Sequence, residues 1–271
     1  MNSMENFNFI RNEDEQNYHA LSMNGEYMSS HLLRDFRESP LLYHKKVTGQ
    51  IKTPDTPAMM LGRAAHKLIL QGKNEFDNEY FVSDGPVNPK TGECFGRMTK
   101  AYREWERLLP KKSVSNKEFA LLEKLESSVR NHPIAKEFLS QGIAEGVVRQ
   151  RLFEVPCQIR MDFFHPDHGI MDLKTCESLA SFHHDCRKYE YVCQMAFYQS
   201  VLYAACGCKH PAYLIAVEKN EPYNTGVWYL PPETMMKAVQ INADALKYYR
   251  KLRNSNLWPT GYENIRSIEF F

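Results

Sequence analysis

The segment that most constrains this chain is Arg160-Met-Asp-Phe-Phe-His-Pro-Asp-His-Gly-Ile-Met-Asp-Leu-Lys-Thr175, two apolar–acidic stretches around a Pro/Gly turn. With His165 to Gly169 as a hairpin loop centred on Asp167, a symmetric register sets Asp162 opposite Asp172 and Phe164 opposite Ile170. Strand alternation then puts Asp162, Asp172 and Lys174 on one face and turns Met161, Phe163, Met171 and Leu173 towards a core. Two opposed carboxylates repel each other unless a positive charge lies between them. A hard divalent cation such as Mg²⁺ suits oxygen ligands. It would polarise a phosphate ester and lower the pKa of a bound water. Lys174 would then orient that water or stabilise charge on the phosphoryl oxygens. The plain alternative is the wet face of an edge hairpin, because an Asp-x-Lys triplet alone is a weak signal.

Around this hairpin the pattern is helical, then stranded, then mixed. A polar arm is expected over 1–27, and Ser29 opens a helix that stops at Ser39-Pro40. Ala58 to Gln71 is apolar nearly all round and is expected to be a buried helix. A strand is expected over 78–83, a Gly/Pro-rich loop over 84–96, and polar helices over 97–109 and 115–131, with a short one after Pro133. Strands are expected at 147–155, 157–164, 169–175, 212–218 and 226–230. Helices are expected at 178–187, 190–205 and from Pro231-Pro232 to Arg253. That order predicts one α/β (α+β) domain over 1–271, a central mixed sheet with helices on both faces and a strand core at 146–230.

Lys plus Arg total 34 against 33 for Asp plus Glu, so any nucleic-acid contact must come from local basic patches around an acidic site. Candidate patches are Lys100, Arg103, Arg107, Lys111 and Lys112, then Arg149 with Arg151, and Arg250, Lys251 and Arg253. Such runs are more often solvated helix faces. The seven cysteines are irregularly spaced, and Met1 to Ile10 has no signal-peptide pattern; both point to free thiols in a reducing cytoplasm. Cys206-Gly-Cys208 is too tight for a usual zinc site. No apolar run is long enough to span a bilayer, so no membrane role is expected.

Three further motifs have bland readings in isolation. Gly62-Arg-Ala-Ala-His66 places Gly62 and His66 one helical turn apart, as a core histidine would be. Gln194-Met-Ala-Phe-Tyr198 reads as two polar groups on an amphipathic helix. Ser29 and Ser30 at a helix N-terminus suit either plain capping or a terminal phosphate, and Arg63 either snorkels or adds charge.

Taken in chain order, these motifs resemble the RecB-type subgroup of PD-(D/E)XK nucleases, and within it the RecE-like (exonuclease VIII) exonucleases. Arg160-Met-Asp162 resembles the family's Arg-Pro-Asp, with Met161 a departure. Ile170-Met-Asp172-Leu-Lys174-Thr175 and Gln194-x-x-x-Tyr198 resemble its later motifs. Tyr18-His19, Ser29-Ser30, Ser39-Pro40, Tyr43 and Lys45 resemble its N-terminal signature, and Trp258-Pro259-x-x-Tyr262 its closing segment. The resemblance implies His66, Asp162, Asp172 and the Leu173 carbonyl as metal ligands, and Lys174 as the catalytic lysine, with Gln194 and Tyr198 in support. It also implies Mg²⁺ with Mn²⁺ as a substitute, and 5′→3′ degradation of double-stranded DNA ends; Ser29, Ser30, Arg63 and Arg160 are the candidates for holding such an end. A ring-shaped homo-oligomer and a single-strand annealing partner in a bacterial or phage-infected cell belong to the same expectation. The competing readings are an endonuclease or repair nuclease on the same site, and a non-catalytic DNA-binding module on a decayed fold. The cluster-bearing iron–sulphur branch lacks its four spaced cysteines here.

Overall fold

A computed structural model describes residues 9–11, 13–265 and 267. Residues 1–8 and 12 of the expected arm lie outside them, but the arm also contains a helix, α1 (Glu15–Met23), capped by Asp14. Its Tyr18 and Ser22 are buried. Ser29 caps α2 (Ser30–Glu38), and Ser39 caps α3 (Pro40–Val47), where Pro40 takes the first helical position that needs no N–H donor. Thr56 and Pro57 start α4 (Pro57–His66) in the same way, and a π-helical turn, Lys67–Gln71, continues it.

Next come α5 (Lys73–Glu79), β1 (Tyr80–Val82), α6 (Lys100–Arg107) and β2 (Lys112–Val114). A Ser115/Glu118 capping box opens α7 (Asn116–Asn131), followed by α8 (Pro133–Phe138). The strands β3 (Ile143–Leu152), β4 (Val155–His165) and β5 (Gly169–Cys176) form a meander. Then come α9 (Phe182–Lys188), α10 (Tyr191–Cys206), β6 (Ala212–Glu218), β7 (Thr225–Tyr229) and α11 (Pro232–Ser255).

The sheet order is β3-β4-β5-β6-β7, with β5 and β6 parallel and the other neighbours antiparallel. That parallel pair needs a crossover, which α9 and α10 supply. One face of the sheet packs on α2, α10 and α11, through residues such as Phe36, Phe197, Val201 and Leu246. The other packs on α4, the π-turn, α7 and α8, through Ala64, Leu68, Leu122 and Phe138. The mixed sheet with helices on both faces is therefore as expected.

Three expectations need correction. The helix from Ala58 is not buried all round: Met59 is 47% exposed, and burial begins only at Ala64 and Ala65, where the helix passes over the sheet. The strand expected from Asn78 starts at Tyr80, because Gly72 at φ +88 resets the chain into α5 and buries Phe76. Met161 does not share a face with Phe163. It joins Phe164 and Ile170 in one core, whereas Phe163, Met171 and Leu173 lie in the other. The alternation slips at Asp162, where the β3–β4 ladder lacks the 145–162 pair and Glu145 has φ +54.

Candidate active site

The β4–β5 turn is built from its own side chains. His165 Nδ1 accepts the backbone N–H groups of Asp167 and His168, at 3.1 and 3.3 Å. Gly169 has φ +92, and a Cβ there would stand 2.3 Å from the Pro211 carbonyl oxygen. The ladder then runs in the expected register through His165–Gly169, Phe164–Ile170 and Phe163–Met171, and stops one pair short of the carboxylates. Asp162 is thus not cross-strand paired with Asp172. Instead its Oδ2 accepts the Leu173 N–H at 2.8 Å. A residue's N–H and C=O face the same edge of an extended strand, so the Leu173 carbonyl also belongs to this edge.

Helix α4 packs across β5 and brings His66 to Asp162, Nδ1 to Oδ2 at 3.4 Å. Asp172 is wholly buried and ion-paired with Lys174. Its Oδ1 accepts from Gln194 Nε2 at 3.0 Å, and the same amide nitrogen donates to the Tyr198 hydroxyl at 3.0 Å. Asp172 Oδ2 has no aligned hydrogen bond among the described residues. Lys174 also lies 4.7 Å from the centroid of the Tyr191 ring.

The charges are strongly coupled. Burial and the charge of Asp162 push Asp172 up to about 6, against the pull of Lys174. Burial opposes charge on His66, but Asp162 outweighs it and raises the imidazole to about 9. Burial would raise Asp162 too, yet His66, Lys174 and the Leu173 N–H hold it below the usual carboxylate range. Burial works against Lys174, and the two aspartates keep it above the ordinary lysine value.

Glu145 joins this cluster, and the sequence reading missed it. Ligand atoms of His66, Glu145 and Asp162 lie within 4.8 Å of one another. Burial and Asp162 raise the Glu145 carboxyl, and Arg160 is its counter-ion, Nε to Oε2 at 2.6 Å. A signal was available: drawing the β3–β4 hairpin through Phe153-Glu154 puts Glu145 opposite Asp162, but Gly146 looked like the strand's boundary. The imidazole of His66 and the carboxylates of Glu145 and Asp162, with the buried Asp172 carboxylate beside Lys174, are a donor set that fits a divalent cation.

The other candidates are placed differently. Arg160 is committed to Glu145, and Arg63 to Asp55. Ser29 accepts the Leu32 N–H at 3.4 Å, as a plain cap does, and Ser30 is buried beside it. Their helix packs on α10, which carries Gln194 and Tyr198. A groove of about 1410 Å³ runs from Glu145 and Arg160 past Arg63 and Lys67 to Lys111 and Lys112. Lys67 and Lys112 are both paired with Glu79. At the other end of β3 and β4, Arg149, Arg151 and Arg253 meet Tyr27 around a hollow of about 610 Å³. Among the described residues, no helix is long and apolar enough to cross a membrane.

A crystal structure from Eubacterium rectale, titled "Putative exonuclease", superposes with a TM-score of 0.69 over 97% of both chains at 17% identity. At that identity the likeness is one of fold. No curated protein matches the chain. The family profile described as "PDDEXK-like domain of unknown function (DUF3799)" matches residues 29–269. With hairpin, carboxylates and lysine all inside that span, the chain belongs to this PDDEXK-like family.

Proposed function

We propose that the protein is a Mg²⁺-dependent DNA exonuclease that degrades one strand of a duplex end from its 5′ terminus, leaving 3′ single-stranded tails for recombination. The observation that carries this is the meeting of His66, Glu145, Asp162, Asp172 and Lys174, from four elements, in one mostly buried cluster. A structural ion-pair network has little reason to crowd three carboxylates together.

When bound, a divalent cation supplies polarisation of the scissile phosphate and a water of lowered pKa. His66, Glu145, Asp162, Asp172 and the Leu173 carbonyl are the groups that would hold it. The chain's own residues do the rest. The Leu173 N–H fixes Asp162, and Gln194, itself hydrogen-bonded to Tyr198, fixes Asp172 Oδ1. Lys174 presents a cation next to these carboxylates, where phosphoryl oxygens gather charge.

The exonuclease reading is supported by the RecE-like order of motifs and by the description of the Eubacterium rectale protein, and the polarity by the order of motifs alone. A ring-shaped homo-oligomer, a single-strand annealing partner and a bacterial or phage-infected cytoplasm belong to the same proposal. The test is a linear duplex labelled separately at its 5′ and 3′ ends, incubated with Mg²⁺ beside a closed circle and an Asp172→Ala control. Early release of 5′ label, an intact circle and a silent variant are expected. A cut circle would establish an endonuclease instead. Inert wild-type protein in both Mg²⁺ and Mn²⁺ would leave a DNA-binding module.

A further inference from the structure

The turn between α9 and α10 carries Arg187-Lys188-Tyr189-Glu190-Tyr191. Glu190 sits in the left-handed region at φ +55, uncommon for a residue with a side chain, and its carboxylate is held by Arg37. This reversal lays the rings of Tyr189 and Tyr191 against each other, with centroids 5.6 Å apart and planes inclined by 25°. The Tyr191 ring in turn carries the Lys174 ammonium at 4.7 Å, and the Lys188 ammonium lies 5.0 Å from the Tyr189 ring centroid. Two stacked rings thus lie between two cations, running from the half-buried lysine of the site to the surface in the order Lys174, Tyr191, Tyr189, Lys188.

The outer half of this ladder is open. Tyr189 is 40% exposed, and Arg187 and Lys188 are exposed without an ion pair among the described residues. An exposed aromatic face next to unpaired cations is what sequence-tolerant binding of single strands uses: bases stack on the ring and phosphates meet the charges. In a duplex the base faces are taken up by neighbouring base pairs, so such a platform accepts a base that has left the stack. Lys188, on a flexible exposed stem, can yield the ring to a base and take the adjoining phosphate.

We propose that Tyr189 is a base-stacking subsite for single-stranded DNA next to the scissile phosphate, with Arg187 and Lys188 contacting the phosphates of the same strand. This rests on the nuclease reading above and specifies it: the strand reaches the site unpaired. Tyr191 links the stacked base to Lys174, so occupation of the platform and alignment of the catalytic lysine are coupled through one ring.

The test uses the full chain carrying Asp172→Ala, so that DNA is bound and not consumed. Single-stranded oligonucleotides with one 2-aminopurine, moved stepwise from the 5′ end, report stacking as quenched fluorescence. Quenching confined to one or two positions is expected with Tyr189 and with Tyr189→Phe, and its loss with Tyr189→Ala, alongside binding about tenfold weaker. An abasic residue at the quenched position is expected to weaken the Tyr189 protein similarly and the Tyr189→Ala protein no further. Tyr189→Trp, expected to keep the quenching, guards against a disturbed turn. Unchanged quenching and affinity in Tyr189→Ala would overturn the subsite and leave the nuclease reading standing. If the Tyr189 protein bound no DNA and the wild-type chain cut none, both would fall.

Discussion

Asp172 and His66 set opposite demands on the metal-free protein and on the protein with a cation in place. The folded His66 is raised from 6.5 to about 9, so its contribution to stability is complete below about pH 6.5 and is lost as pH rises through 9. Asp172, raised from 3.8 to about 6, loses its contribution as pH rises through 6. Asp162, held low, contributes above its unfolded value and loses that in acid. Between pH 6.5 and 9 the His66 effect therefore dominates. The thermal midpoint of chelated protein is expected to fall across that window, and His66→Gln to flatten the fall. Added Mg²⁺ should raise the midpoint more at pH 9 than at pH 6.5, because proton and cation compete for the same nitrogen. Scanning calorimetry reads all three; a flat profile in the parent protein would contradict the His66–Asp162 pair.

Glu145 gives a second prediction at this scale. As a ligand it should matter to metal affinity before it matters to folding. Glu145→Gln is expected to weaken Mn²⁺ binding by tenfold or more in calorimetric titration, with the fold kept. Unchanged affinity would return Glu145 to the role of partner for Arg160. Glu145 is not conspicuous in the linear chain, where a glutamate before a glycine looks ordinary, whereas His66 looks ordinary by pattern and is singled out by the family resemblance.

Among the elements, the β4–β5 hairpin positions the most chemistry. Its turn depends on Gly169, where both the left-handed φ and the Pro211 carbonyl exclude a side chain. Gly169→Ala is expected to cost more than about 1 kcal/mol of stability, seen as a lower denaturation midpoint. It should lower cleavage as well, because the same turn sets the register that delivers Asp162. The hairpin was legible because its period, turn residues and register are local. Its end was not: the loss of pairing at Asp162 arises where a carboxylate captures the Leu173 N–H and β3 bends at Glu145.

Several terminal motifs proved to be architecture. Trp258 packs on Tyr43 and stacks on His44 at 4.7 Å, Tyr43 donates to the Tyr249 hydroxyl at 3.1 Å, and the Pro259 carbonyl accepts the Leu41 N–H. Tyr18 is tied to Gln158 of β4 by its carbonyl, at 2.7 Å. These contacts tie the C-terminal segment to α3 and α11, and α1 to β4.

For the whole molecule, the proposed function turns on how it would meet DNA. With charges nearly balanced and most groove cations already paired to acids, binding through the groove alone should be weak and only moderately salt-dependent. Under the proposed exonuclease function, processive degradation would require topological retention, which the proposed closed homo-oligomer would supply. Sedimentation is expected to show an oligomer, and product lengths under single-turnover conditions to show long runs from each end. A monomer releasing DNA after each cut would contradict the ring.

What the chain's sequence determined by itself was local: the hairpin and its faces near the turn, the caps at Ser29, Ser39, Thr56 and Ser115, and the carboxylates and lysine that belong together. These follow from strand and helix periods and from turn chemistry, which act between near neighbours. Only the tertiary structure decided that α4 lays His66 across the sheet, that Glu145 enters the cluster, and that Arg63 and Arg160 are tied to acids. It also decided that the α9–α10 turn stacks two tyrosines outward from Lys174. Each of these depends on packing between elements distant in the chain, where burial and opposite charge, and no sequence period, choose the partner.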